Sequence, residues 1–159
     1  METRIRRAGL TDIDLLMKWR MTVLHEVFSI PSDEPMEKLE CENRLYYQTA
    51  LPAEGHIACF AYAGDKIIGC GVVCLYREMP SPDNPDGGCA YLMNIYTTPE
   101  FRGQGVGRKI VSWLIGQARD KGIAKIYLET SECGRSLYQE MGFTNMCGYM
   151  QIKAGTPWS

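Results

Sequence analysis

Residues 91–107 read YLMNIYTTPEFRGQGVG. An apolar strand runs to Thr97, a turn opens at Pro99, and a helix follows from Gly105 to Lys121, closed by Gly122. Arg102-Gly103-Gln104-Gly105-Val106-Gly107 therefore joins a strand to a helix start. Its three glycines let the backbone turn tightly and leave N–H groups unshielded by side chains. The helix start adds unpaired N–H donors and the positive end of a dipole. Together these make an anion site suited to a pyrophosphate, with Arg102 and Arg108 at its rim. The glycines alone fit a turn that only permits close strand–helix packing equally well. A P-loop does not fit, because Lys109 is not followed by Ser or Thr. A Rossmann fingerprint sits on a first strand with an acid ~20 residues on, whereas this turn lies two-thirds along the chain.

Outward from that unit the chain reads as one α/β or α+β domain over residues 1–159, with no internal repeat or linker. Residues 3–7 predict a first strand. Thr11 reads as the N-cap of a helix that sets Ile13, Leu16, Met17, Met21, Leu24, Val27 and Phe28 on one side. A second helix is expected over about 36–50. Residues 56–63 and 66–76 alternate around Gly64-Asp65 as a hairpin. A Pro/Gly-rich loop spans 77–88, and strand 89–97 leads into the glycine turn. Beyond the helix come a strand at 125–129, a short helix at 134–141, and a final strand or strand pair over 143–153.

The segment 91–107 resembles the central motif of the GNAT superfamily, the GCN5-related N-acetyltransferases. The pattern is Arg/Gln-x-x-Gly-x-Gly/Ala, and Arg102, Gly105 and Gly107 fill it. Downstream, IYLETSECGRSLYQEMGF resembles that family's next strand and helix, whose Tyr-x-x-x-Gly-Phe signature is filled by Tyr138, Gly142 and Phe143. The two motifs stand at the expected separation, and the likeness covers residues 67–153 well. It implies the GNAT fold, a central mixed, mostly antiparallel sheet of six to seven strands flanked by about four helices. It also implies transfer of an acetyl group from acetyl-CoA to a primary amine, by direct attack in a ternary complex and without a metal.

The resemblance assigns roles by position. The diphosphate of the donor would lie over Arg102, Gly103, Gln104, Gly105, Val106, Gly107 and Arg108. The pantetheine arm would pair with the strand edge at Ile95, Tyr96 and Thr97, where an N–H would polarise the thioester oxygen. Tyr138 matches the tyrosine that protonates the leaving thiolate, although by itself it also reads as a core aromatic beside Leu137. Glu129 is the candidate general base, with Glu132 and Glu78 as alternatives and Asn94 as a hydrogen bonder. Many family members carry Asn seven residues before the tyrosine, and here that position is Ser131. Cys133, near the start of the short helix, would be the nucleophile of a ping-pong route, but no histidine is near it in sequence.

The net charge of -2 gives no footprint for nucleic acid or an anionic membrane, and no apolar run reaches the ~18 residues of a span. The N-terminal METRIRRAGL lacks a signal core. Seven cysteines without a close CxxC pair read as small buried hydrophobes in a reducing cytoplasm, and His25 and His56 lack ligand-spaced companions. The expected partner is a small-molecule or peptide amine, and a homodimer is allowed. Acids gather at residues 32–54 and 77–88, a charge that would attract a cationic acceptor if it walled the site and would serve solubility if it faced water. Two rival readings stand beside the transferase: a non-catalytic acyl-CoA-binding module and a nucleotide-binding protein of another fold.

Overall fold

The structure is a computed structural model and is described for residues 2–155. The elements run β1 (Arg4–Arg7), α1 (Ile13–Val27), α2 (Glu37–Ala50), β2 (His56–Ala63), β3 (Lys66–Arg77), β4 (Gly88–Thr97), α3 (Val106–Asp120), β5 (Lys125–Leu128) and α4 (Glu132–Glu140). Short 3-10 turns at Leu10–Asp12 and Pro99–Phe101 lead into α1 and α3. The chain divides between Glu129 and Thr130 into two compact units.

The first unit is a sheet in the order β1-β2-β3-β4-β5. β1 to β4 are antiparallel, and β5 returns through α3 to pair parallel with β4. That mixed, mostly antiparallel sheet is the one expected. α3 packs on β2, β3 and β4. Its close approach requires two glycines on β3. A Cβ at Gly71 would lie 2.4 Å from Ile110 Cγ2, and one at Gly69 would lie 3.0 Å from Ile110 Cδ1. A second apolar cluster joins α1 and α2 to the sheet through Leu16, Met17, Val23, Tyr47, Phe60, Cys70, Val72 and Tyr96.

The second unit holds α4, with Ser131 at its N-cap position, and the segment after it. Here the expected strand count is corrected. Five strands form among the described residues, not six to seven, and residues 143–153 take no strand conformation. Met146, Tyr149, Met150 and Ile152 in that segment are exposed. A strand is held by a neighbour's backbone, and no such ladder forms there among the described residues.

Three smaller expectations also change. Asp12, not Thr11, stands at the N-cap position of α1, and its carboxylate accepts from the Arg6 guanidinium and the Gly9 N–H instead of from the helix. Val27 and Phe28 are exposed, not part of the buried side of α1. Cys59, Cys70 and Cys89 are buried as expected, whereas Cys41, Cys133 and Cys147 are exposed.

Candidate active site

The glycine turn meets the requirements of an anion cradle. Gly103 and Gly105 have φ of 73° and 79°, a left-handed backbone that side chains disfavour. A Cβ at either would meet no atom within 4 Å, so the surface above the turn is open. Gly105 is the N-cap of α3, and no side chain caps the helix. Its first-turn N–H groups therefore receive no side-chain acceptor.

The sheet opens beside this turn. β5 pairs with β4 only from Cys89↔Lys125 to Leu92↔Leu128. β4 continues to Thr97, so residues 93–97 have no β5 partner on that side. The same stretch bulges. The β3 register jumps from Cys70↔Tyr96 to Val72↔Met93, and Asn94 has φ of 54°. Ile95 then turns toward α3, near Ile110 and Leu114, while Met93 and Asn94 line a pocket on the α1/α2 side. Ile95, Tyr96 and Thr97 thus form a free strand edge that runs toward the cradle.

Arg102 makes three contacts at the end of β4. Its Nη2 donates to the Glu26 carboxylate on α1, its Nε donates to the Thr97 carbonyl at 3.0 Å, and its guanidinium lies over the Tyr96 ring. The Tyr96 hydroxyl donates to the same carboxylate. These contacts hold Glu26 below the usual carboxylate range, with Tyr96 the larger cause, and raise Arg102 further. The group anchors the end of β4 to α1, and its charge is already compensated. Gln104 Nε2 donates to the Glu100 carbonyl at 3.1 Å, bracing the turn from inside.

The pocket on the other side of the bulge has a volume of 250 Å³ and is lined by Arg20, Asn43, Tyr46, Tyr47, His56, Val72, Met93 and Asn94. Arg20 Nη1 donates to Asn94 Oδ1 at 2.9 Å and its Nε donates to Asn43 Oδ1 at 3.1 Å. His56 is 3% exposed. Its Nδ1 faces the Tyr46 hydroxyl at 3.1 Å, and its Nε2 has no hydrogen-bond partner. Burial, with Arg20 adding to it, pushes the imidazole down to about 4, so it is neutral near pH 7. None of the acidic residues of 32–54 or 77–88 lines this pocket. Glu54 pairs with Lys121, and Glu40 lines a separate groove with Lys18 and Arg44.

Glu129 follows the last residue of β5 and lies near the Tyr91 hydroxyl, where it adds to the upward push that burial gives that phenol. Glu78 is a weaker base candidate, because Asn84 and Lys125 bring it down to about 2. Asn94 is a bulge residue and a partner of Arg20. In the second unit, Tyr138 is half-buried with its ring edge-on to Phe143, and burial raises its hydroxyl. Ser131 is exposed, and its hydroxyl does not cap α4. Glu132 pairs with Arg135 at 3.3 Å.

Arg20, His56, Asn43, Tyr46 and Glu26 escaped the sequence reading, yet two of them left a trace. Arg20 sits four residues from Leu16 and four from Leu24, on the buried stripe of α1. His56 shares the inward parity of Ala58 and Phe60 on β2. Among the described residues no group of three or more His, Cys, Asp or Glu is placed to hold a metal ion, and no helix is long and apolar enough to cross a membrane.

Comparison with known proteins places this geometry. The model of the acetyltransferase (GNAT) family matches residues 22–143. A thialysine N-epsilon-acetyltransferase from Sus scrofa is 32% identical over 91 residues, covering 43% of this chain and 54% of that protein. The chain thus spans about half the length of the curated relatives it matches. A crystal structure of a predicted acetyltransferase with acetyl-CoA, from Clostridium acetobutylicum, aligns over 96% of both chains with a TM-score of 0.84 and 26% identity. A GCN5-related N-acetyltransferase from Ralstonia eutropha shares the fold over 97% of this chain and all of that one, with a TM-score of 0.79 and 20% identity.

Proposed function

The chain belongs to the acetyltransferase (GNAT) family, and from that premise we propose that it transfers an acetyl group from acetyl-CoA to a primary amine, by direct attack within a ternary complex. The observation that carries the proposal is the free edge of β4 running into an open, uncapped glycine turn. The edge offers backbone groups to an extended pantetheine arm, and the turn offers N–H groups to a diphosphate.

In this reading the backbone of Gly103, Gln104, Gly105, Val106, Gly107 and Arg108 holds the diphosphate. Ile95, Tyr96 and Thr97 hold the arm, and an N–H of that edge stabilises negative charge as it develops on the thioester oxygen. Acetyl-CoA supplies the activated acyl group. Ser131 contributes a hydroxyl to the arm, and Tyr138 donates the proton that the leaving thiolate needs. Burial keeps its phenol protonated, as a donor must be. Glu129 takes the amine proton, directly or through water. Arg102 acts by holding the end of β4 to α1 through Glu26, not by contacting phosphate.

The test pairs binding with turnover. Calorimetric titration should show coenzyme A binding to the intact chain, and a thiol-release assay with acetyl-CoA should respond to added amines. Binding without thiol release across a broad amine panel would favour a non-catalytic acyl-CoA-binding module instead.

A further inference from the structure

The pocket beside the β4 bulge contains a cation without a counter-charge. Arg20 forms no ion pair among the described residues, and its two neighbours, Asn43 and Asn94, are neutral. A guanidinium has five N–H donors, of which those two contacts use two. Among the described residues no carboxylate lines the pocket. A half-buried charge in this setting is incompletely compensated, and an anionic ligand would complete it.

A second group in the pocket is also unsatisfied. His56 Nε2 is buried and unpartnered, although nearly all buried polar atoms find a partner. Its Nδ1 faces the Tyr46 hydroxyl at 3.1 Å and the Cys74 sulfur at 3.7 Å. When either of these donates to Nδ1, the neutral ring carries its proton on Nε2 and that atom is a donor. The Arg20 guanidinium and the His56 imidazole both line this one small pocket, and in that tautomer they form a donor set suited to a carboxylate.

We propose that this pocket receives the acceptor and that Arg20 and His56 bind an anionic group on it, so that the acceptor is a small amine bearing a carboxylate. The inference rests on the acetyl-transfer reading above. Two further observations fit it. Met93 and Asn94, which line the pocket, begin the free edge of β4, so the pocket adjoins the strand edge to which the acetyl-transfer reading assigns the thioester. The volume of 250 Å³ lies below the ~300–1,000 Å³ of drug-sized sites, which suits an amino acid better than a large polycation or a protein segment. The Tyr46 and Tyr47 rings supply apolar walls for its carbon skeleton.

The test uses amino acids, their carboxamides and the matching decarboxylated amines on one carbon skeleton, with acetyl-CoA and the intact chain. The acid should exceed both neutral-headed partners in kcat/KM by at least ~10-fold, the scale of one charge-assisted hydrogen bond. Arg20→Gln should erase that preference through KM for the acid, so that kcat/KM for the acid falls at least ~10-fold more than kcat/KM for the carboxamide. A second readout needs no turnover. The chain has two histidines, so the imidazole nitrogens of His56 can be followed by NMR with coenzyme A bound. The acid should shift Nε2, and the carboxamide at the same concentration should not. Carboxamides or decarboxylated amines that match or beat the acids, or an Nε2 resonance indifferent to the acid, would overturn the inference. Thiol release absent with every amine, while the acid still shifts Nε2, would instead remove the transfer reading and leave the anion pocket standing.

Discussion

The buried histidine makes the stability of this protein sensitive to mild acid. His56 is neutral in the fold, because burial and the nearby Arg20 push it from 6.5 down to about 4. The unfolded chain therefore binds a proton across a pH window in which the folded chain does not. Stability rises with pH wherever the unfolded state holds more protons, so it falls as pH drops from about 6.5 toward 4. At pH ~5 the unfolded imidazole is almost wholly protonated and the folded one about one-tenth so, which corresponds to ~2 kcal/mol lost relative to pH ~7. Asp12 and Glu26 are held low by their partners and add acid sensitivity only as pH nears their unfolded values of 3.8 and 4.5. The stretch from ~7 to ~5 thus isolates histidine titration from these carboxylates. Urea unfolding at both ends of that range should show the ~2 kcal/mol drop in the parent chain and less than half of it in His56→Gln. A parent chain equally stable at both ends, or a His56→Gln variant with the same drop, would show that the ring is not held neutral by burial.

Gly105→Asp should remove coenzyme A binding, measured calorimetrically on a folded variant, because φ of 79° disfavours a side chain and the new carboxylate would sit beside the diphosphate. Tyr138→Phe should keep donor affinity but lower kcat by ~10²-fold, the usual scale for a general acid, and a parent-like kcat would reduce Tyr138 to packing against Phe143. Gly71→Ala should destabilise the fold by ~1–3 kcal/mol in thermal or urea melts, since the new methyl would press on Ile110, Ile95 and Leu114.

Much of the site was legible because its signals are local. The glycine turn is written in consecutive residues, and its left-handed φ values follow from the absence of a Cβ at Gly103 and Gly105. The hairpin of β2 and β3 and the helices α2 and α3 follow from alternation, periodicity and closing glycines. The β4 bulge was not legible. Asn94 carries the left-handed φ, and nothing adjacent to it in the sequence marks the insertion, which arises from pairing with β3 across Gly71. Arg102 shows a different limit. Its position in the motif identified it, but its partner Glu26 lies 76 residues earlier, so its role as an anchor needed the fold. The final strand failed for the converse reason. Residues 143–153 have strand-like composition, but a strand exists only where a neighbour accepts its hydrogen bonds.

The charge of the acceptor shows most clearly why counting residues along the chain misleads. The acids of 32–54 and 77–88 outnumber the bases there, and from sequence they could wall a site for cations. In the fold, Glu54 turns to Lys121, Glu78 turns to Lys125 and Asn84, and Asp86 accepts from the Gly88 N–H. The field inside a pocket depends on which charges line it and lack compensation, and exposed acids beyond about 8–10 Å are screened at physiological salt. Arg20 meets the first condition and those acids do not, since it stands in the pocket among neutral partners. In the proposed reading, a single cation on the buried stripe of α1 outweighs a surplus of surface carboxylates. Raising salt should accordingly leave the preference for a carboxylate-bearing amine largely intact, because a partly buried pair is screened far less than exposed charges are.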